Sequence, residues 1–283
     1  MTVIWTLLRL LRWTTDYFDG KGISNPRLDA ELLLAHVLEL DRVGLYLNYE
    51  RPLNEAELDA IRPLVKRRGQ REPLQYLLGQ TEFWSLPFEV TPAVLIPRAD
   101  TEILVEEALN RVDAEVGELL DVGTGSGAIA ISLATELADW QVSALDLSVE
   151  ALEVARRNAE RNGVAGQVRF LQADLAQLPQ QQYDLIVSNP PYVAQAEWDE
   201  LMPEVRCFEP RQALLAEDNG LDCYRKLTSQ AQNRLKPRGW LLVEIGYRQA
   251  EAVQQLFTAA GLQDVFVRDD YAGLPRVVGG CHR

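Results

Sequence analysis

From residue 118 onward, short apolar runs alternate with stretches of helical periodicity, and this alternation constrains the fold more than any other feature. Apolar runs occur at 119–122, 142–145, 168–171, 185–187, 240–245, 265–267 and 276–278. Helical stretches occur at 128–137, 150–162, near 224–235 and near 250–260. Because strands that alternate with helices usually pair in parallel, the pattern predicts a parallel sheet wrapped by helices, an α/β architecture.

The chain before residue 98 has a different pattern. Residues 1–75 show leucines at helical spacing and little strand character, which predicts a small helical bundle. Residues 76–97 contain β-forming residues such as Phe83, Trp84 and Phe88 among glycine and prolines, which predicts a β-hairpin linker. The predicted domains are therefore 1–75, 76–97 and 98–283.

The charge is distributed unevenly along the chain. The net charge of the 283 residues is -14, and residues 81–283 carry 17 basic against 31 acidic side chains. Nucleic-acid binders usually present a basic surface, so this acidity disfavours a nucleic-acid substrate. With three cysteines and two histidines, no metal-ligand spacing occurs and we expect no metal. Residues 1–17 predict an amphipathic helix, so we expect a cytoplasmic protein without a membrane segment.

A glycine-rich turn follows the first predicted strand and precedes a helix. Its residues are Asp121, Val122, Gly123, Thr124, Gly125, Ser126 and Gly127. Glycines let the backbone turn tightly and approach a ligand closely, which predicts a nucleotide site. Such a turn also occurs in dinucleotide-binding enzymes. An acidic residue before the glycines would repel a pyrophosphate but attract the cationic amino acid end of S-adenosylmethionine, so Asp121 favours the latter cofactor.

Three residues after the next two strands complete the predicted cofactor site. Asp146 ends the second strand and can accept hydrogen bonds from both hydroxyls of a ribose. The alternative is that Asp146 caps the helix over 148–162. Asp174 and Leu175 follow the third strand, where an adenine would lie at the carboxyl edge of the sheet.

The stretch Asn189, Pro190, Pro191 and Tyr192 is the most specific motif in the chain. The prolines stiffen the turn, and the Asn189 side chain and the Pro190 main chain each offer a carbonyl oxygen. Two adjacent acceptors can hold one planar NH2 group, while Tyr192 packs on its face. We therefore predict Asn189, Pro190 and Tyr192 as catalytic residues and Asn189–Tyr192 as the substrate site. Catalysis would rest on positioning and electrostatics, without a covalent enzyme intermediate.

With these motifs in view, the sequence resembles the peptide chain release factor glutamine methyltransferases, the PrmC/HemK family of protein-(glutamine-N5) methyltransferases. The resemblance runs nearly end to end and rests on segments 79–84, 96–102, 121–127, 189–192, 204–210 and 244–246. It implies a Rossmann-like S-adenosylmethionine-dependent methyltransferase fold with a seven-stranded sheet. The implied reaction methylates the side-chain amide of the glutamine in the Gly-Gly-Gln motif of class 1 release factors, which supports translation termination.

The resemblance also implies roles for individual residues. Gly123–Gly127, Asp146 and Leu175 would contact the cofactor, Asn189 would adjoin it, and Leu175 would pack on adenine where many relatives have an aromatic. Two sets stay open. Arg98, Asp100 and Glu102 belong to the site or begin and cap a helix over 101–112. Arg206 and Glu209 order a loop over the substrate or form a surface ion pair.

Other functions compete with this interpretation. An adenine-N6 methyltransferase acting on DNA or RNA shares the Asn-Pro-Pro-Tyr motif, but it predicts a basic face. A nucleotide-binding protein without catalysis, or a nicotinamide-dependent enzyme, does not account for that motif. The helical segment carries no chemical motif, yet it has a basic cluster at Lys66, Arg67, Arg68 and Arg71. We hypothesise that it docks part of the release factor, the alternative being a lid or folding support with a solvated basic face.

Overall fold

The structure is a computed structural model that describes residues 5–283. The first four residues of the predicted N-terminal helix therefore lie outside the described residues. Contacts divide the chain into two compact units: one contains residues up to Gly79 and the segment Met202–Phe208, and the other contains Gln80–Leu201 and Glu209–Arg283. A segment from late in the sequence thus belongs to the helical unit, which the sequence pattern does not reveal. Within residues 5–283, no helix is both long and apolar enough to cross a membrane.

The helical unit confirms the predicted N-terminal bundle. Its helices before residue 80 are α1 (Leu7–Asp19), α2 (Pro26–Leu38), α3 (Arg42–Leu47), α4 (Glu55–Gly69) and α5 (Leu74–Leu78). Asn54 and Glu57 form a capping box that starts α4, because each side chain accepts a hydrogen bond from the other's backbone N–H. The inward faces of the helices share one apolar core that includes Leu11, Leu33 and Ile61.

Two arginines of the predicted basic cluster hold the late segment within the helical unit. The Arg68 side chain is 7% exposed, and its Nε donates to Asp29 Oδ2 at 2.7 Å. Both terminal nitrogens of Arg68 donate to Glu204 Oε1 at 3.2 Å, and Arg71 Nη2 donates to Glu204 Oε2 at 2.6 Å. Breaking a buried pair by removing one partner costs about 3–5 kcal/mol. This part of the cluster is therefore structural and not a solvated face.

The remaining elements follow in chain order. They are β1 (Gln80–Phe83), β2 (Leu86–Glu89), α6 (Glu102–Asn110), β3 (Glu118–Val122), α7 (Ala128–Glu136), β4 (Gln141–Asp146), α8 (Val149–Arg161), β5 (Val168–Gln172), β6 (Tyr183–Ser188), α9 (Pro203–Phe208), α10 (Glu217–Gly220), α11 (Asp222–Arg234), β7 (Leu235–Glu244), α12 (Ala250–Ala259), β8 (Gln263–Asp269) and β9 (Pro275–Cys281). Short 3-10 helices occur at Ala99–Thr101, Gln195–Glu200 and Arg211–Ala213. Of these elements, α9 belongs to the helical unit.

The larger unit is built on a seven-stranded sheet with the order β5-β4-β3-β6-β7-β9-β8. The pairs from β5 to β7 are parallel, whereas β9 is antiparallel to both β7 and β8. All seven predicted strands and the Rossmann-like class are confirmed; the sheet is parallel from β5 to β7, as predicted, and the sequence pattern did not indicate the antiparallel pairing of β9. Two apolar clusters complete the unit, one around Leu119 and Val187 and the other around Leu120 and Ile186. Since these residues are sequence neighbours on the same strands, the clusters lie on opposite faces of the sheet.

The predicted β-hairpin forms between β1 and β2. Its two turn residues, Trp84 and Ser85, have φ values of 52° and 57°, in the left-handed region that a two-residue hairpin turn requires. Glu102 stabilises this turn, because its Oε1 accepts a hydrogen bond from the Trp84 backbone N–H at 2.8 Å. Arg98 is the N-cap of the 3-10 helix, Asp100 lies in its first turn and Glu102 begins α6, so these residues start the helix as one alternative predicts, although no side-chain cap hydrogen bond is made at either N-cap.

Candidate active site

The glycine-rich turn joins the carboxyl end of β3 to α7. Gly123, Gly125 and Gly127 have φ values of 76°, 56° and 83°, which other residues rarely adopt. A Cβ at Gly123 or Gly125 would meet no atom within 4 Å, so the backbone here faces open space. A Cβ at Gly127 would lie 2.7 Å from the Ile131 side chain. The first two glycines thus leave room for a ligand, whereas the third allows the helix to pack.

Asp121 is a fully buried carboxylate beneath this turn. Its Oδ2 accepts the Thr124 hydroxyl at 2.6 Å and the Ala130 backbone N–H at 3.2 Å, while Oδ1 has no hydrogen-bond partner in the described protein. Burial raises the pKa of Asp121 to about 7. An unpartnered buried carboxylate oxygen is costly unless a donor or cation reaches it. This atom therefore fits the cationic group that the sequence predicts for it.

Asp146 connects the glycine turn to the next strand. Its Oδ2 accepts the Gly125 backbone N–H at 2.8 Å, and its Oδ1 accepts the Ser148 backbone N–H at 2.9 Å. Burial raises the pKa of Asp146. The N-cap of α8 is Ser148, whose hydroxyl accepts the Ala151 backbone N–H at 3.1 Å. The alternative in which Asp146 is merely the helix cap is therefore wrong.

A cavity of about 160 Å³ lies at the carboxyl edge of the sheet. Of the predicted site residues, those that line it are Gly123, Gly125, Asp146, Asp174, Leu175, Asn189 and Pro191. Predicted site residues outside this lining are Asp121, Thr124, Ser126, Gly127, Pro190 and Tyr192. The structure thus gathers residues from the ends of β3, β4, β5 and β6 around one space, and the roles assigned to them stay predictions.

The cavity lining beyond β5 combines a polar and an apolar residue, Asp174 and Leu175. Asp174 is exposed, and its Oδ1 accepts the Ala176 backbone N–H at 2.8 Å. Leu175 is partly buried against the core, and its carbonyl accepts a hydrogen bond from Gln230 Nε2 at 2.8 Å. Leu175 therefore offers an aliphatic wall fixed through its own backbone.

Asn189 lies directly after β6 and is half-buried. Its Nδ2 donates to Thr101 Oγ1 at 3.2 Å, which leaves Oδ1 without a hydrogen-bond partner among residues 5–283. Pro190 is buried, and its main-chain carbonyl likewise has no donor among the described residues. Among the described residues, neither of the two oxygens that the sequence predicts as paired acceptors has a hydrogen-bond donor.

Tyr192 is held at both ends by residues that the sequence analysis does not assign to the site. Its hydroxyl donates to Glu244 Oε1 at 3.4 Å, and its carbonyl accepts from Gln249 Nε2 at 3.0 Å. A Cβ at Gly220 would lie 2.3 Å from the Tyr192 carbonyl oxygen, so only glycine permits this approach. The glutamate that ends β7 in the Glu-Ile-Gly segment is the one signal that could have pointed to this support.

An ion pair joins Arg98 to Glu209, the residue before Pro210 of the cavity lining. Glu209 is buried; its Oε1 accepts from Arg98 Nη2, and its Oε2 accepts the Ile96 backbone N–H at 3.1 Å. The segments on either side of this contact, around Val94 and around Pro210, both line the cavity. Glu209 is therefore a buried link between two segments of the cavity lining and not a surface residue, and its role in ordering a loop over the substrate stays a prediction.

A second, wider groove of about 630 Å³ is lined by Tyr192. Its walls come from the segment after Tyr192 and from the loop after β7, and they include Glu197, Tyr247, Arg248 and Arg276. The Tyr247 side chain is 48% exposed. This groove is lined by a mixture of polar and apolar side chains.

Comparisons with known proteins agree with this geometry. A family described as "PrmC N-terminal domain" matches residues 9–79, and one described as "Methyltransferase small domain" matches residues 99–209. The catalytic domain of hMettl16, solved in complex with the MAT2A 3′UTR hairpin 6, superposes with a TM-score of 0.56 over 82% of this chain and 84% of that chain. It is 15% identical in sequence, so the likeness concerns the fold alone.

Two relatives match almost the whole chain. A release factor glutamine methyltransferase of Geobacter sulfurreducens is 50% identical over 98% of this chain and 97% of its own length. Another, of Rhodopirellula baltica, is 40% identical over 97% of this chain and 95% of its own length. Together with the methyltransferase fold and the site at the carboxyl edge of its sheet, these matches show that the protein belongs to the S-adenosylmethionine-dependent release factor glutamine methyltransferase family.

Proposed function

We propose that the protein transfers the methyl group of S-adenosylmethionine to N5, the side-chain amide nitrogen, of the glutamine in the Gly-Gly-Gln motif of class 1 release factors. One observation carries the proposal. Asn189 lines the cavity with its side-chain oxygen unpartnered, and the carbonyl of the next residue, Pro190, has no donor among the described residues. Two such acceptors match the two N–H bonds of a carboxamide.

The residues around the cavity fit the cofactor. The open backbone at Gly123 and Gly125 can admit its chain, and the unpartnered Asp121 Oδ1 suits its ammonium group. Asp146 would accept the ribose hydroxyls, and Leu175 would pack on the adenine. When bound, S-adenosylmethionine supplies a methyl group on a sulfonium, which a nitrogen lone pair can attack.

The protein's own contribution is orientation and electrostatics. An amide nitrogen is a weak nucleophile because its lone pair is delocalised into the carbonyl. Positive charge develops on that nitrogen during transfer, so the hydrogen bonds to Asn189 and Pro190 strengthen in the transition state. Tyr192 would pack against the flat amide. The proton can leave after transfer, when the nitrogen is strongly acidic, so no general base is required.

The substrate assignment predicts a result that separates glutamine from adenine. Incubation of a class 1 release factor with the protein and methyl-labelled cofactor should add one methyl group at the Gly-Gly-Gln glutamine, located by mass spectrometry. Replacing that glutamine by alanine should erase the label, because alanine has no amide nitrogen. Labelling of DNA or RNA oligonucleotides, with none on the release factor, would overturn the proposal in favour of an adenine-N6 methyltransferase.

We also propose that the helical unit docks a part of the release factor that is distant from the glutamine. A groove of about 400 Å³ on this unit is lined by Trp5, Trp13 and Tyr17 together with the basic Arg62 and Lys66. Trp13 is 49% exposed and stacks on Tyr17 with ring centroids 5.5 Å apart. Rigid aromatic rings bordered by positive charge suit an apolar side chain flanked by acidic residues.

Replacing Trp13 by alanine should therefore lower kcat/KM for the whole release factor by about thirtyfold, the effect of a central aromatic contact. Methylation of a short Gly-Gly-Gln peptide should stay unchanged, because the peptide lacks the part of the release factor that would occupy the groove. Leu47→Ala is the matched control, since Leu47 is 81% exposed on the same unit and outside the groove. Equal losses on peptide and whole protein, in a variant with normal thermal stability, would rule out the docking role.

A further inference from the structure

The side-chain amide of Gln249 joins three segments near the carboxyl edge of the sheet. Its Nε2 donates to the Tyr192 carbonyl at 3.0 Å and to the Gly220 carbonyl at 3.4 Å. Its Oε1 accepts the Gly246 backbone N–H at 3.0 Å. The partners lie after β6, at the end of α10 and after β7, and all three are main-chain groups. Because a carbonyl can only accept and an N–H can only donate, these partners fix the amide in one orientation.

The backbone around this amide leaves room for it. A Cβ at Gly220 would lie 2.5 Å from Gln249 Nε2, and a Cβ at Gly246 would lie 2.9 Å from Gln249 Oε1, so a larger residue at either position would displace the amide. Asp218, Asn219 and Gly220 have φ values of 50°, 54° and 86°, in the left-handed region. Such strain persists where surrounding contacts hold it, and it concentrates at functional sites. The strained loop thus ends against Gln249, at a residue that has no side chain to displace it.

The start of α12 does not explain the contacts of this side chain. Gln249 occupies the N-cap position of α12, yet its side chain makes no capping hydrogen bond to that helix. An N-cap residue is usually a short acceptor such as serine or aspartate, whereas glutamine is long and its amide here contacts other segments. Gln249 and Tyr192 both line the groove of about 630 Å³, and Gln249 is outside the lining of the 160 Å³ cavity. The contacts of Gln249 therefore concern the position of Tyr192 and not the cofactor.

We propose that Gln249 is a positioning residue that holds the Tyr192 main chain, so that the Tyr192 ring packs against the substrate amide bound at Asn189. This inference rests on the proposed function and deepens it. Glu244 holds the other end of Tyr192, because its Oε1 accepts the Tyr192 hydroxyl at 3.4 Å. With both ends held, the ring is fixed before the substrate arrives. A displacement of about 1 Å in an active site can lower a rate by about a hundredfold, so a fixed ring favours transfer.

The first test replaces Gln249 by glutamate. Gln249→Glu keeps the size of the side chain and an acceptor for the Gly246 N–H, but it removes the N–H groups that hold the Tyr192 and Gly220 carbonyls. A carboxylate repels these carbonyl oxygens, so kcat for a whole release factor at saturating cofactor should fall by at least about tenfold. The affinity for S-adenosylmethionine, measured by calorimetry, should stay at the wild-type value, because Gln249 does not line the cavity.

Two comparisons separate positioning from a local effect on α12. A negative charge at the start of a helix is stabilising, so a residue that served only α12 would tolerate glutamate without loss. Gln255→Glu adds the same charge to the same helix at an exposed residue outside the linings of the groove and the cavity. This control should keep the wild-type kcat.

The second test is a double-mutant cycle with Tyr192→Ala. If Gln249 acts through the Tyr192 ring, Gln249→Glu should cause no further loss of kcat when the ring is absent. A general structural defect would instead lower kcat by the same factor in both backgrounds. Gln249→Met, which has a similar length and no charge but offers no N–H, takes its place in the cycle if Gln249→Glu is unstable.

Two results would overturn the inference. One is a folded Gln249→Glu variant with the wild-type kcat, and the other is an equal loss in the presence and in the absence of the Tyr192 ring. Failure of the proposed function is a separate outcome, because the wild-type protein itself would then leave the release factor glutamine unmethylated. Since the wild type is measured first, the two failures are distinguishable.

Discussion

Replacement of Asn189 by alanine is expected to lower kcat for release factor methylation by at least about a hundredfold, the usual cost of removing one preorganised transition-state contact. The side-chain oxygen of Asn189 is one of two acceptors that hold the substrate nitrogen, and alanine leaves that N–H unpaired. The fold should persist, because the amide makes one hydrogen bond, to Thr101 at 3.2 Å. Single-turnover kinetics at saturating cofactor would measure the loss.

Asn162→Ala is the matched control for this variant. Asn162 Nδ2 donates to the Pro87 and Asn158 carbonyls at 3.0 and 2.9 Å, at the end of α8 and outside the cavity lining. The control removes the same kind of group and more hydrogen bonds, yet it should keep the wild-type kcat. An Asn189→Ala protein that is folded, saturated with cofactor and fully active would refute the role of Asn189.

The second large effect should follow from Asp146→Ala, which is expected to weaken S-adenosylmethionine binding by about 10- to 100-fold. The variant removes the proposed ribose acceptor, and a hydrogen bond to a charged group contributes about 1.5–3 kcal/mol. It also releases the Gly125 backbone N–H, which Asp146 holds at 2.8 Å, so the glycine turn loses part of its order. Isothermal titration calorimetry would give the change in affinity.

The control for Asp146 is Asp184→Ala. Asp184 accepts the Glu118 backbone N–H at 2.8 Å and Lys236 Nζ at 2.7 Å, near the amino end of β6 and therefore at the opposite edge of the sheet. Its loss should lower stability without changing cofactor affinity. An Asp146→Ala variant that binds the cofactor as tightly as the wild type would exclude the ribose contact.

The sequence pattern predicts the strands well because the central ones are buried on both faces and read as continuous apolar runs. The direction in which a strand pairs with its neighbours cannot be predicted from such a run. The run that forms β9 looks the same whether it pairs in parallel or not, so its antiparallel pairing with β7 could not be predicted. The β-forming residues of 76–97 predict a hairpin. They do not predict where it turns, because Trp84 and Ser85 give no glycine or asparagine signal for their left-handed conformation.

The site residues that directly follow a predicted strand could be predicted from the sequence. The glycine turn, Asp146 and Asn189 follow strand ends directly, and parallel strands bring such ends to one edge. Thr101, Glu244 and Gln249 were not assigned, since their partners Asn189 and Tyr192 lie far away in the chain and no spacing rule links them. The segments 96–102 and 244–246 contain Thr101 and Glu244, but no motif contains Gln249.

The membership of Met202–Phe208 in the helical unit has a consequence for how the protein is made. During translation, residues up to Gly79 leave the ribosome before Gln80–Leu201 has been synthesised, and only then does Glu204 reach Arg68 and Arg71. At about 5–20 residues per second this delay is roughly 6–24 s. During this delay, Arg68 can pair with Asp29 but not yet with Glu204, the second of its two native carboxylate partners. The helical unit is thus N-terminal in sequence but cannot be completed first, and a nascent chain that stalls before Glu204 carries an unfinished bundle.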